Sequence, residues 1–462
     1  MRRMNLRRWG WVVTAWALAV GLGVTAVAAL PGRVVRAASV SGSTTIVSDT
    51  EPLTPAIYLP IAAKEISMVE WRGVWVSRYD WTRMGVTPTV TDIQRVVDQA
   101  AGAGFNAIFF QVRAAGDAYY TPGLEPWAAR MTGSSGWTLG QNPGWDPLTE
   151  MISRAHRAGV QVHAWINVYP AWQAPLSSTY GLLTPTLGIT PAHPLNLWTY
   201  IDNGGYGLGY RWRVYDRPVA NGYMPIQWNQ YLWASPAVPA VREHIAAVAG
   251  DLVSRYEIDG LHLDNVRYPG PGYSWDPFTL AAYEADPLSA TMTITNWRPA
   301  FQREQVTQLV AQIATQTHAT RPTATVSAAV WGVYRNWWGW PATSQGYVDY
   351  YQDSQRWVLS GTLDALAPMI YAGNVITDLE KWTLAAQDFQ DHAGSGKIMP
   401  GIGVVFSSEG CVPFDQLAAR VETARRLQTA GQAFFSLGGL VDCGYLDDLK
   451  AGPYAVPARW RP

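Results

Sequence analysis

A chain of 462 residues in which 34 Lys and Arg face 35 Asp and Glu carries a formal net charge of −1, and its length leaves room for one large domain or two or three ordinary ones. That balance excludes the basic excess needed to neutralise the phosphates of a nucleic acid. The 24 Trp and 23 Tyr, against 10 Phe, favour aromatics that join a flat apolar face to a polar handle, suited to a large core and equally to the faces of sugars.

The first element is an address. "MRRMNLRRWG" is a basic n-region, and the apolar run that follows is diluted by Ala and Gly and ends in small residues, at Ala26-Val27-Ala28 or near Ala37-Ala38. Residues 1–38 are therefore expected to be a signal peptide or an N-terminal anchor. The run from Trp9 to Leu30 reaches the roughly 20 residues that span a bilayer, so an uncleaved segment is the one membrane contact the sequence allows. Either outcome makes the protein secreted or associated with the cell envelope. Residues 39–66, rich in Ser, Thr and Pro without a period, read as a linker.

From Met68 a rhythm of short apolar strand and amphipathic helix begins. Eight strands are predicted, at 69–77, 105–113, 160–168, 258–265, 325–333, 363–371, 398–406 and 432–440. Helical patterns separate them, several ending on Gly just before the next strand, as a C-terminal cap does. Eight βα repeats over residues 67–445 predict a (β/α)8 TIM barrel, with 446–462 as a C-terminal tail. The connections 114–145, 169–235 and 266–297 are long, rich in Gly, Pro, Trp and Tyr, and each follows a strand. They therefore elaborate the C-terminal face, where barrel enzymes build their sites.

Strand side chains alternate, so residues opposite each apolar stripe point into the barrel. That parity turns inward Trp75 of strand one, Gln111 and Arg113 of strand two, His163, Trp165 and Asn167 of strand three, and His262 and Asp264 of strand four. Trp331 and Tyr371 share the mouth by the same rule, and Arg267 and Tyr268 follow Asp264 on its rim. Each apolar or aromatic member can be ordinary barrel packing. Buried polar and charged groups such as Asn167, Arg113 and Asp264 need a partner or a job.

With the strands in place, the sequence resembles the glycosyl-hydrolase-like 10 family, bacterial barrel proteins related to glycosidases that act on peptidoglycan and polysaccharides. The carriers are "WRGVWVS" at 71–77, "FNAIFFQVRAAGDAYY" at 105–120, "EPWAARMTG" at 125–133, "DPLTEMISRAHRAGVQVHAWIN" at 146–167, "IDGLHLDNVRYP" at 258–269 and "LDALAPMIY" at 363–371. Two departures stand out. Asn265 occupies the place of a second Asp, and "NVYPA" replaces the more usual Asn-Pro-Tyr-Arg after strand three. The resemblance implies a glycan substrate, of peptidoglycan or another amino-sugar type, cleaved by carboxylate chemistry.

Glycoside cleavage normally takes two carboxyl groups. Asp264 is the first candidate, beside Arg267, whose charge is expected to hold it ionised as a nucleophile or base. The second is sought in Asp117, then Glu125, both in the loop after strand two, then Glu409 beyond strand seven. Val266 stands where a chitinase-type motif would carry Glu, so a substrate-assisted route is not assigned. The alternative is a catalytically inactive carbohydrate-binding barrel. A lyase or aldolase would want an inward Lys or a metal cluster, and the predicted interior offers neither. No cofactor or metal is expected, since the two cysteines come without an HExxH or CxxC pattern. Cys411 and Cys443 follow strands seven and eight, neighbours in a closed barrel, and are expected to form a disulfide at the rim.

Overall fold

The computed structural model describes residues 68–133, 138–173, 188–194, 231–371, 378–406 and 410–460. The expected signal or anchor, the linker, and Glu409 lie outside the described residues. Among the described residues no helix is long and apolar enough to cross a membrane.

Eight positions of parallel strand close into a ring: β1 (Trp71–Val76), β2 (Ala107–Arg113), β3 (Gln161–Asn167), β4 (Gly260–Asp264), β5 (Thr325–Trp331), β6 (Ala365–Met369), β7 in two pieces (Lys397–Ile398 and Gly401–Gly403), and β8 (Gly431–Phe435). The split in β7 has a chemical cause. Pro400, between the pieces, has no N–H, and the ladder changes sides there: Lys397–Ile398 pairs with β6 and Gly401–Gly403 with β8. β8 then pairs with β1, and the barrel has no free edge.

Each strand feeds a helix whose apolar stripe faces the ring. In α1 (Val90–Gly102), Thr89 and Asp92 form a capping box, and Ile93, Val96, Val97 and Ala100 are buried at helical spacing. In α2 (Pro147–Arg157), Asp146 accepts from the N–H groups of Leu148 and Thr149, with Pro147 at the first turn. The longest helices, α3 (Pro239–Arg255) and α4 (Ile294–Thr320), follow β3 and β4. They are succeeded by α5 (Ser354–Leu359), α6 (Leu379–Asp391), α7 (Phe414–Arg426) and α8 (Leu437–Cys443).

Two apolar cores result. One lies between strands and helices; the second fills the barrel with Trp71, Trp75, Phe109 and Trp165 against Ala329, Ala365, Ala367 and Ala433. Large rings on β1 to β3 meet small side chains on β5, β6 and β8. Gly260 belongs to the same fit, since a Cβ there would stand 2.1 Å from Nδ1 of His163.

Two stretches differ from the expectation. Residues 446–460 are no loose tail: Leu446–Ala451 is helical, Ala458–Arg459 pairs in parallel with Met68–Val69, and Trp460 stacks on Trp71 at 4.8 Å, sealing the N-terminal end of the barrel. The eighth strand stops at Phe435 rather than continuing to 440. Ser436 caps α8 through the N–H of Gly439, and Gly444 ends it at φ 75.

The end of α8 brings Cys443 to Cys411, which lies in a small antiparallel hairpin after β7, and the two are bonded with Cα atoms 5.8 Å apart. The bridge joins residues 32 apart in sequence, a loop whose closure is worth about 3–4 kcal/mol in the chain-entropy account. The Cys411→Ser, Cys443→Ser double variant is expected to lose stability of that order in denaturant titration, with the barrel still folded.

Candidate active site

The C-terminal ends of β1 to β6 converge on a polar mouth above an aromatic floor. Trp75 and Trp165 are the floor, both almost fully buried. Below them His262 is a packing residue: Nε2 accepts from the Trp75 indole N–H at 2.9 Å and Nδ1 lies 2.8 Å from the Ser327 hydroxyl. Burial, with His163 nearby, pulls its pKa well below the usual histidine range, so it is neutral. His163 lies deeper still, between Trp71 and Phe109, and burial brings it down to about 4. Neither histidine reaches the mouth, which corrects their expected contact with substrate.

Asp264 ends β4 and is partly exposed. Its Oδ1 accepts the Asn265 N–H at 2.6 Å, and its Oδ2 accepts from Asn265 Nδ2 at 3.2 Å. Burial raises its pKa, and the opposing pull of Arg267, the Asn265 N–H and Trp165 does not cancel that rise. The expectation that Arg267 holds it ionised is thus reversed in sign, because desolvation outweighs an arginine that forms no ion pair with it. Tyr371, stacked on Phe435 at 5.3 Å, stands close enough to Asp264 for the carboxylate to push up its own pKa, on top of burial.

A hydrogen-bonded chain runs across the mouth from the end of β1 through β2 to β3. The Arg78 backbone and guanidinium both donate to Gln111 Oε1, at 3.1 and 3.0 Å. Gln111 donates to Asn167 Oδ1 at 3.3 Å, which also accepts from Trp165 Nε1 at 3.1 Å. Arg78 donates to the Tyr231 hydroxyl at 2.8 Å, and Tyr231 also senses the charge of Asp264. Asp117 borders the same arginine: burial raises its pKa, the Ala115 N–H at 2.9 Å and Arg78 lower it, and the net direction is up. The charge of Asp264 thus bears on Tyr231, and that of Arg78 on Asp117.

Three expected site residues are used elsewhere. Arg113 is fully buried and grips Glu125 with two bonds, 2.7 and 2.8 Å, while Nη1 donates to the carbonyls of Asn167, Val168 and Pro170. A register shift between Gln111 and Arg113 moves it off the inward row. Glu125 accepts also from His244 of α3 at 3.0 Å. Burial pushes its pKa up, but Arg113 and His244 outweigh that and hold the carboxyl at about 2. An acid so engaged is a structural anion and has no free oxygen for chemistry. Tyr268 is buried among the outer core, edge-on to Tyr351, and not on the rim. Asn265 takes φ 51, which turns the chain so that Val266 and Tyr268 face the helices and Arg267 faces the mouth.

Trp331 lies against Tyr350 at 4.2 Å, and its indole donates to the Ser344 carbonyl at 2.8 Å, leaving its ring at the rim. Arg78, Tyr231 and Tyr350 were missed from the sequence. Tyr231 arrives on a short strand, Tyr231–Trp233, antiparallel to Pro170–Gln173. Asp80 is a further carboxyl at the rim, pushed up to about 6 by burial. It accepts from the Ser77 N–H at 2.7 Å and the Ser436 hydroxyl at 3.1 Å, so it works as a cap between β1 and β8. Among the described residues no set of three or more His, Cys, Asp or Glu is gathered to hold a metal ion.

This architecture has relatives. Glycosyl hydrolase DigH of Escherichia coli K12 is 29% identical over 338 residues, 69% of each chain. Glycosyl hydrolase YngK of Bacillus subtilis is 27% identical over 428 residues, 88% of this chain and 76% of that one. The solved PgaB (BpsB) glycoside hydrolase domain from Bordetella bronchiseptica superposes with a TM-score of 0.56 at 14% identity, over 85% of this chain and 100% of that domain, which speaks for the fold. The two relatives are named glycosyl hydrolases, and hydrolysis of a glycosidic bond in a glycan is the activity that their family supports for this barrel. Residues 70–182 and 223–397 match the glycosyl hydrolase-like 10 family, and the chain belongs to it.

Proposed function

We propose that the protein is an exported glycosidase of amino-sugar glycans, of peptidoglycan type, in which Asp264 protonates the glycosidic oxygen and Asp117 is the second carboxyl. The observation that carries this reading is Asp264 itself: a partly exposed carboxyl at the end of a barrel strand, above a Trp floor, with its pKa raised. A raised pKa keeps the proton on the acid at pH values where an ordinary carboxyl has lost it, as a general acid requires. Asp117 is the partner because Glu125 is consumed by Arg113 and His244, whereas Asp117 keeps one oxygen free of any bond among the described residues. The disulfide supports an oxidising, extracytoplasmic location.

The test is release of reducing ends by purified protein from peptidoglycan strands stripped of their peptides, from chitin-type oligosaccharides, and from a glucan of similar length. Turnover is expected on the amino-sugar polymers; turnover confined to the glucan would overturn the substrate assignment. Asp117→Asn is expected to lower kcat by about 10²-fold or more with little change in KM, the magnitude of an acid–base group. An undiminished kcat would remove Asp117 from the mechanism.

A further inference from the structure

Arg267 is a cation of the mouth to which the proposed mechanism assigns no contact with substrate. Its guanidinium lies 4.8 Å from the ring of Tyr350, 5.3 Å from Trp331 and 5.2 Å from Trp233, so aromatics from three separate segments surround it. Of its five N–H donors, Nη1 reaches the Tyr268 carbonyl at 3.4 Å and Nη2 reaches Asn265 Oδ1 at 3.2 Å. Nε is buried and has no partner among the described residues. No carboxylate forms an ion pair with Arg267 among the described residues, in contrast to buried Arg72 and Arg113, each of which holds a glutamate at 2.7 Å.

Asn265 explains how the charge stays unspent. It stands between Asp264 and Arg267, donating Nδ2 to the acid and accepting from the base through Oδ1. A neutral amide there separates the two, where an acid would pair with the arginine. The result is an oriented, partly exposed cation whose Nη1 and Nη2 each keep a second N–H without a partner among the described residues, at the edge of the mouth and beside Trp331 as a stacking face for a sugar ring.

We propose that Arg267 selects glycans bearing a carboxylate, holding that group in a bidentate pair one sugar away from the bond over Asp264. The inference rests on the glycosidase reading above and deepens it: the preferred amino-sugar polymer is an acidic one. A planar guanidinium fork matches a carboxylate, and a charge-assisted pair of this kind is worth about 10- to 100-fold in discrimination.

The experiment compares each enzyme on peptide-free peptidoglycan strands and on the same strands with the lactyl carboxylates reduced to alcohols; hyaluronan, with its carboxylate on a uronic acid, is the third arm. Wild type is expected to favour the native strands over the reduced ones by about 10-fold or more in kcat/KM. Arg267→Met is expected to bring that ratio to about one, with Arg267→Lys intermediate. Asn265→Asp, which leaves Arg267 in place but gives it an internal partner, is expected to depress the ratio as well. Cleavage of hyaluronan that also depends on Arg267 would extend the site to uronic acids; cleavage of the strands alone would restrict it to the lactyl group. Equal treatment of native and reduced strands by wild type, or an unchanged ratio in Arg267→Met, overturns the proposal. Equilibrium binding to the same two strands keeps the failures distinct. Absent turnover with an Arg267-dependent binding preference sinks the mechanism and retains the selector, whereas turnover without preference does the reverse.

Discussion

Glu125→Gln is expected to cost about 3–5 kcal/mol of stability, because it leaves the Arg113 guanidinium buried without its counter-charge. Few surface changes in this chain approach that effect; exposed pairs such as Arg356–Glu304 are worth at most about 1 kcal/mol. The pair also sets an acid limit. The folded pKa of Glu125, about 2, is below that of the unfolded chain, so its contribution is complete above the ordinary carboxylate range and is lost as pH falls toward 2. Denaturant midpoints taken from pH 6 down to pH 2.5 are expected to fall less steeply in Glu125→Gln than in wild type. Parallel curves would show that the pair carries no such linkage. Because Arg113 also ties down the Asn167, Val168 and Pro170 carbonyls, loss of order at the end of β3 is the expected route by which this variant also loses activity.

The largest effect on activity is expected from Asp264→Asn, a loss of about 10²- to 10⁴-fold in kcat. Asn keeps the shape and an oxygen for the Asn265 N–H, gives up only the 3.2 Å contact with Asn265 Nδ2, and cannot deliver a proton, so stability and glycan binding are expected to stay near wild type. The same assignment dictates a pH profile. A general acid works while protonated, so kcat/KM falls as pH rises through the raised pKa of Asp264. Arg267 lowers that pKa, and its removal in Arg267→Met is expected to move the alkaline limb upward. A limb that moved downward, or did not move, would separate Asp264 from the proton transfer.

The barrel was readable from its parity. Trp75 and Trp165 alternate against apolar stripes, and the structure turns them into the barrel, because a closed parallel ring buries both faces and leaves the period of two intact. Where parity failed, the backbone had changed step. A register shift after Gln111 takes Arg113 off its row, and past the positive φ of Asn265 Arg267 keeps to the expected rim while Tyr268 turns into the outer core. Both events depend on local geometry that residue type leaves open. The last strand was overextended because "SLGGLVDCG" is apolar and Gly-rich, although Ser436 and Gly444 are a helix start and stop that a capping argument can find. Arg78 and Tyr231 escape for a different reason: they meet across 153 residues, through an antiparallel strand pair that has no local period. Glu125 was drawn into the candidate acids by its position in a loop motif, and only its contacts with Arg113 and His244 reveal a structural anion.

The central claim, that this barrel cuts glycans with Asp264 as its acid, is tested most directly by reducing-end release from peptide-free peptidoglycan strands by wild type and Asp264→Asn side by side. Steady release by wild type, reduced at least about 10²-fold in a variant that still binds the strands, is the predicted result. Equal release by the two proteins would contradict it.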